Sequence, residues 1–266
     1  MTADDTMTAL RRPPPAVLAV AGLGVLVFVI PVVALLADAP WSTLFTQFTA
    51  PETVAAGRVS VIVSLAATAL AVILGVPMAF ALANMDFWGK PIVRTIITVP
   101  LVLPPVVTGV ALTSAFGRRT LFGELTGIGL TSTMAGAILA AAVVATPFLV
   151  LTVEGTLRST DPGYEQLAAT LGAPPLARWW RISLPLARPG ILAGAILAWA
   201  RALGEFGATI TFAGNTEGST QTLPLEIALA LENPDTQDRA VAVSILMLIV
   251  SLTVLITLRD RWIPRR

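Results

Sequence analysis

The chain has 266 residues, 55% of them hydrophobic and 12% charged, with a mean hydropathy of +0.82 and a formal net charge of +1. That much apolar surface exceeds what one soluble core of this size uses and points to a membrane protein, while the near-zero charge gives no reason to expect a nucleic-acid partner. There is no Cys and no His, which removes disulfides, thiol nucleophiles, Cys/His metal sites and imidazole acid–base chemistry together; no catalytic group and no metal site are expected.

A hydrocarbon core about 30 Å thick takes about 20 mostly apolar residues in a helix. Six runs meet that demand, over 16–37, 59–84, 92–116, 134–157, 190–213 and 240–258, and predict an all-α protein with six transmembrane helices. The first run follows "RRPPP". It is too long, and too poorly matched to a small-residue cleavage site, for a removable signal peptide, and is expected to remain as a span. Between the second and third runs stands the chain's one lysine, Lys90, in "WGKPI". No G-x-x-x-x-G-K-[ST] loop surrounds it, so the chain lacks the usual equipment to bind and hydrolyse ATP. The third run contains Pro100, Pro104 and Pro105 within "VPLVLPPVVTGVAL". Prolines there break backbone hydrogen bonds, which is tolerable where a helix lines a cavity or is buried in protein; Pro104 and Pro105 are candidate pathway residues, with simple kinking as the alternative.

The segment between the fourth and fifth runs, "STDPGYEQLAATLGAPPLARWWRISLPLARPG", is neither greasy nor disordered in composition. Asp161 is a good N-cap, Pro162 suits the first helical position, and Gly172 followed by Pro174 and Pro175 is a stop signal, so a helix of about ten residues is framed. Tyr164, Leu167, Ala168 and Leu171 fall at i, i+3, i+4 and i+7 and form one apolar stripe; Glu165 and Gln166 face elsewhere. A helix this short is marginal alone, so the stripe is expected to pack, either on its own membrane domain and the lipid headgroups or against a docking partner.

The fifth run reads "GILAGAILAWARALGEFGATITF" and places Arg201 and Glu205 four residues apart on one helix face. Charges at membrane depth are expected to pair or to face a water-filled cavity. The pair either holds the helix against its neighbours or leaves Arg201 to attract an anion. Around it Gly194, Ala195, Ala198, Ala202, Gly204 and Gly207 are small enough for close helix approach or for a pore wall. The following stretch, 214–239, is polar and then amphipathic.

Six spans put both termini on one side. Twelve of the seventeen basic residues, namely Arg11, Arg12, Lys90, Arg94, Arg158, Arg178, Arg181, Arg188, Arg259, Arg261, Arg265 and Arg266, then share that side. Arg58, Arg118, Arg119 and Arg239 lie on the other, and Arg201 is inside a span. The bias predicts cytoplasmic termini and makes 158–189 the longest cytoplasmic loop.

Glu165-Gln166-Leu167-Ala168-Ala169, then Gly172, then after nine residues Ile182-x-Leu184-Pro185 resemble the E-A-A…G…I-x-L-P loop of ABC importer permeases. Leu167 stands where alanine is more usual. In that family the loop forms a cytoplasmic coupling helix that inserts into a groove of the ATPase subunit. The resemblance therefore implies an ATPase-coupling role for Asp161, Tyr164, Glu165, Gln166, Leu167, Ala168, Leu171, Gly172, Ile182, Leu184 and Pro185. "ARALGEFGATITF…TQTLPLEIA" resembles the molybdate/tungstate branch more than its sulfate/thiosulfate relatives, and makes Arg201, Gly204, Glu205 and Gly207 candidate pathway residues. The resemblance spans about 54–258, the permease core. Residues 1–53 hold a cytoplasmic tail, the first span and an outward loop, and 259–266 form a cytoplasmic tail.

What it implies is a type I permease subunit in a prokaryotic cell membrane, without an ATPase site of its own. Two copies form the pathway, a separate ATPase dimer binds ATP and Mg, an extracytoplasmic molybdate-binding protein meets the 214–239 surface, with a simple solvated loop as the alternative there, and lipid surrounds the spans. The chain itself carries no cofactor. A sulfate or thiosulfate permease is the near rival; an autonomous ion-coupled carrier is the distant one, and Arg201/Glu205 is nearly the only intramembrane candidate for such coupling.

Overall fold

A computed structural model of the chain describes residues 14–161 and 163–262, the last six by backbone alone. The basic residues of the N-terminal tail, Pro162, the last four residues and the side chains of Arg259 and Arg261 lie outside this description. Among the described residues every regular element is helical. Five helices among these residues are long and apolar enough to cross a membrane: Pro15–Ala37, Pro51–Asn84, Met134–Ser159, Pro175–Leu203 and Pro234–Ile256. The chain divides into two units, one of residues 49–232 and one of 1–48 with 233–266.

In the second of these, α1 (Pro15–Ala37) starts on a proline where no amide hydrogen is needed and buries no residue. An all-round apolar helix of this kind is suited to lipid. Short α2 (Leu44–Phe48) follows, and the unit closes with a 3₁₀ turn (Pro234–Thr236) and α13 (Gln237–Trp262).

The unit of residues 49–232 is built around three long helices. They are α3 (Pro51–Asn84), α7 (Met134–Ser159) and the continuous helical stretch Pro175–Leu203, whose main part is α10 (Leu184–Leu203). Their shared seam is lined by small or β-branched residues: Val63 and Ala67 of α3, Ala141, Ala145 and Val153 of α7, Ala198 and Ala202 of α10, all buried. Lipid tails offer no hydrophobic reward for helix association, so close van der Waals contact must supply it. At Gly194 a Cβ would come within 3.2 Å of the Leu149 backbone, and at Gly190 within 2.6 Å of Thr156 Cβ. The α7–α10 crossing is thus set by glycine.

A second theme is a row of hydroxyls along α3. Thr53 donates to Glu226 Oε1 (2.8 Å), Ser60 Oγ accepts from the Leu223 N–H (2.7 Å), and Ser64 Oγ accepts from the Trp199 indole N–H (3.1 Å). Spacings of seven and four put the three on one helix face. Ser60 in this way caps α12 (Leu223–Glu232) from another helix, supplying one of the partners that a helix N-terminus otherwise lacks.

Two of the expected runs are interrupted. The third is α4 (Lys90–Val102) and α5 (Pro105–Phe116), separated by Leu103 and Pro104 in extended conformation. Each precedes a proline, whose ring disfavours α geometry in the residue before it, and two such residues in succession end the helix. At 13 and 12 residues, neither half reaches the about 20 residues that a crossing takes. The fifth run breaks after Leu203; α10 gives way at Gly204 to α11 (Gly207–Phe212). At its other end this helix begins earlier than hydropathy suggested, because the arginine-rich half of the 158–189 segment is already helical from Pro175. A π-helical turn, Trp179–Ser183, sits just before Pro185, where a proline ring would collide with the carbonyl four residues back in a regular α-helix. Trp179 packs edge-on against Phe80 of α3, at a centroid distance of 6.3 Å.

Candidate functional site

Two regions carry the residues singled out from the sequence. In the first, α8 (Gly163–Thr170) is the short helix expected after Asp161. Asp161 Oδ1 accepts from the Gly163 N–H at 2.8 Å, an Asx-type start. Its end is a Schellman motif: Ala173 N–H bonds to Ala168 O (2.9 Å) and Gly172 N–H to Ala169 O (3.0 Å), with Gly172 at φ +81°. Glycine is required there because a side chain at positive φ meets its own backbone.

Among the described residues the large side chains of the apolar stripe stay open to the surface. Tyr164, Leu167 and Leu171 are 58%, 62% and 79% exposed, while Ala168 is half-buried and Gln166 exposed. The side chain turned inward is that of half-buried Glu165, which accepts a hydrogen bond from the hydroxyl of Ser183, in the π-helical turn. Ile182, Leu184 and Pro185 are half-buried, with Leu184 against the main core. One carboxylate thereby fixes α8 to the start of the next long helix and leaves Tyr164, Leu167 and Leu171 on the open face.

In the second region the two helix breaks meet. A Cβ on Gly207 would lie 2.7 Å from Pro105 Cβ, and one on Gly109 would lie 2.6 Å from Thr211 Cβ and 2.9 Å from Ala208 O. Pro105 and Gly207 are therefore neighbours, and α5 and α11 touch backbone to backbone. Pro104 forms the N-cap of α5, and Gly204 the C-cap of α10, where an added Cβ would meet only the Ala200 carbonyl, at 3.7 Å. The Arg201 guanidinium lies 2.7 Å from Glu205 Oε2 as an ionic contact without aligned hydrogen-bond geometry. The other carboxylate oxygen, Oε1, accepts the Ala208 N–H at 2.8 Å. Arg201 occupies the last turn of α10 and Glu205 precedes the first turn of α11, so each charge stands at the helix end whose dipole favours it.

Sequence reasoning missed a third group. Glu154, 3% exposed on the inner face of α7, receives two guanidinium groups on a single oxygen. Arg94 of α4 bonds to Oε1, and Arg158 reaches the same atom at 3.0 Å. Arg158 also donates to Leu82 O at 3.3 Å, one of the last carbonyls of α3 that no intrahelical amide satisfies. Arg158 was visible at i+4 from Glu154; Arg94, sixty residues away, carried no local signal. Among the described residues no cluster suited to a metal ion is present.

Residues 71–266 match the model of the binding-protein-dependent transport system inner membrane component family. The chain belongs to that family. Among curated relatives, it is 44% identical over 236 residues to the molybdenum transport system permease protein ModB of Mycobacterium tuberculosis, covering 88% of this chain and 89% of that protein. It is 38% identical over 214 residues to ModB of Escherichia coli, covering 77% and 93%. The fold is similar to a solved bacterial ABC transporter involved in the import of the acidic polysaccharide alginate, with a TM-score of 0.71 at 18% identity over 94% of this chain and 95% of that one. The family match opens within α3 and takes in both helix breaks, α8 and Glu154. As an inner-membrane transport component with five helices fit to cross a bilayer, the chain is a multi-pass membrane protein.

Proposed function

We propose that this chain is the permease subunit of an ATP-driven molybdate importer, acting as a gated passage whose movement is powered by a separate ATPase. The observation that carries the reading is the similarity to molybdenum permeases across nearly nine-tenths of both chains. The open stripe on α8 supports the coupling part. Tyr164, Leu167 and Leu171 are exposed, while Glu165 and the Gly172 stop hold the helix in a defined conformation. A short helix held by one inward-turned carboxylate, with three large apolar side chains facing out, is suited to enter a groove of another protein. Counting α4–α5 as one interrupted crossing makes six, with both termini and the 158–189 loop in the cytoplasm of a prokaryotic cell.

In the working complex two copies of this chain line the pathway and a binding protein delivers the oxyanion from outside. ATP and Mg bind to the ATPase dimer, whose closure draws the two coupling loops together and turns the permease outward; hydrolysis resets it. Selectivity rests with the binding protein. The helix breaks meeting at Pro105 and Gly207 give the passage two places to bend.

The test is uptake of radiolabelled molybdate into proteoliposomes holding the permease, its ATPase and its binding protein. Uptake should follow enclosed ATP, survive collapse of proton and sodium gradients, and resist competition by equimolar sulfate. Uptake that stops with the gradients, or that sulfate displaces at equal concentration, would overturn the reading.

A further inference from the structure

α4 is a rod with a joint at each end. It begins after Gly89, which has φ +86°, and ends at Leu103 and Pro104 in extended conformation. None of its residues is fully buried; half-buried Ile97 leans on the main core, and Arg94 binds the buried Glu154. Glu154 itself lies one helical turn before the chain leaves α7 for the 158–189 loop. Arg158, in that last turn, shares the same carboxylate oxygen and continues to the C-terminal end of α3. One oxygen atom therefore joins the entrance of the loop, the jointed rod and the end of a long helix.

We propose that Glu154 is a positioning residue of the transport cycle, passing displacement of the 158–189 loop through Arg94 to α4 and so to the break at Leu103–Pro104. This deepens the functional reading above and rests on it. Stability alone is a poor account of the cluster, because a buried ion pair is often no better for folding than apolar residues of the same volume. The two arginine side chains are 40% and 49% exposed, so their ends of the contact are in reach of water and the tie can shift at modest energetic expense. Their shared anchor, with a side chain 4% exposed, is held by the packed helix that feeds the loop.

The experiment uses the complete importer in proteoliposomes and reads ATP hydrolysed per molybdate imported, a ratio that a merely structural role would leave alone. Glu154→Gln keeps size and an acceptor oxygen but removes the charge. It should assemble as the parent does and raise the ratio about tenfold, within the usual range of coupling between sites. Glu154→Asp keeps the charge and should restore part of the coupling. Arg94→Gln leaves Glu154 its other arginine, so the fold is retained, and should reproduce the rise. Hydrolysis and import that fall in one proportion in Glu154→Gln and Arg94→Gln, or that both stay at parental levels, would overturn the inference. Failure of both variants to assemble would do the same by assigning the cluster to folding. A parent complex that hydrolyses ATP without importing molybdate would instead overturn the functional reading.

Discussion

Glu154 and Glu205 are both buried glutamates, 3% and 2% exposed, and each meets arginine, yet they solve the problem of a charge among apolar helices differently. Glu205 is served locally, by Arg201 one turn before it and by the Ala208 N–H three residues after it. Its carboxylate supplies an acceptor for one amide, Ala208 N–H, that the start of α11 leaves without a helical carbonyl. Glu154 is served from a distance, by Arg94 across sixty residues as well as by Arg158, and it interrupts no helix. The first glutamate holds a break together; the second holds separate helices together. The difference shows that a buried charge is accommodated by whatever fixed polar groups surround it, and that the number of those groups decides how much the loss of one matters.

The comparison is broken most forcefully at Arg201. Arg201→Ala leaves the Glu205 side chain, 1% exposed, with a single peptide N–H, and stranding a buried charge costs on the order of 3–5 kcal/mol. Arg94→Gln should cost far less, because Arg158 stays 3.0 Å from Glu154. Thermal unfolding of the detergent-solubilised complex compares the two, and equal losses would erase the distinction. Arg201→Ala combined with Glu205→Gln should recover most of the single loss, since paired residues are not additive. A double variant that assembles well and still fails to import would make Arg201 a pathway residue rather than one half of a structural pair.

Legibility in the sequence follows the same division. Features set by neighbours along the chain were open to reading: the Asp161 start and Gly172 stop of α8, the pairing of Arg201 with Glu205, and the disruption at Pro104 and Pro105. Hydropathy located the long helices, but it averages over short interruptions. It therefore drew 92–116 and 190–213 as continuous where successive X–Pro bonds and Gly204 end a helix. It also assigned the arginine-rich turns from Pro175 to a loop, because their hydropathy is low although their backbone is helical. Of the two surfaces that the stripe of α8 could pack on, its own membrane domain or a docking partner, the sequence did not choose; Tyr164, Leu167 and Leu171 are exposed. Contacts such as Arg94–Glu154, Thr53–Glu226 and Ser60 with the Leu223 N–H depend on which helices become neighbours, information that no window of a single sequence contains.

A smaller effect is expected at Gly109, where the comparison can be sharpened to ask whether the capping carboxylate or close packing places α11. Gly109→Val forces a branched side chain against Thr211 and the Ala208 carbonyl and should lower stability by about 1–3 kcal/mol. Glu205→Gln keeps an acceptor for the Ala208 N–H. If it destabilises more than Gly109→Val in the same melting experiment, the carboxylate's charge outweighs the packing.

Gly172→Val moves the question to the loop that Glu154 adjoins. Space is not the obstacle, since nothing lies within 4 Å of a Cβ there, but φ is +81°, and a left-handed residue with a side chain costs about 1–2 kcal/mol. The strain is confined to the end of α8, so the melting midpoint should move little while co-purification of the ATPase and import both fall. Unchanged co-purification and unchanged import would remove the docking role from α8.

The smallest effect is expected at Asp86, whose contact with Lys90 at 3.2 Å has the same i, i+4 spacing as Arg201 with Glu205. Spacing is all the two pairs share. The Asp86 side chain is wholly exposed, whereas that of Glu205 is 1% exposed, so water can solvate Asp86 whether or not Lys90 is near, and salt screens what attraction remains. Lys90 also keeps a bond to the Met85 carbonyl at 2.7 Å that does not involve the aspartate. Asp86→Asn should therefore leave the melting midpoint where it is at low and at high ionic strength alike, beside the large loss expected for Arg201→Ala. A loss from Asp86→Asn that rivals the one from Arg201→Ala would mean that local spacing, and not burial, sets the worth of an ion pair in this chain, and the contrast between Glu154 and Glu205 would lose its physical basis.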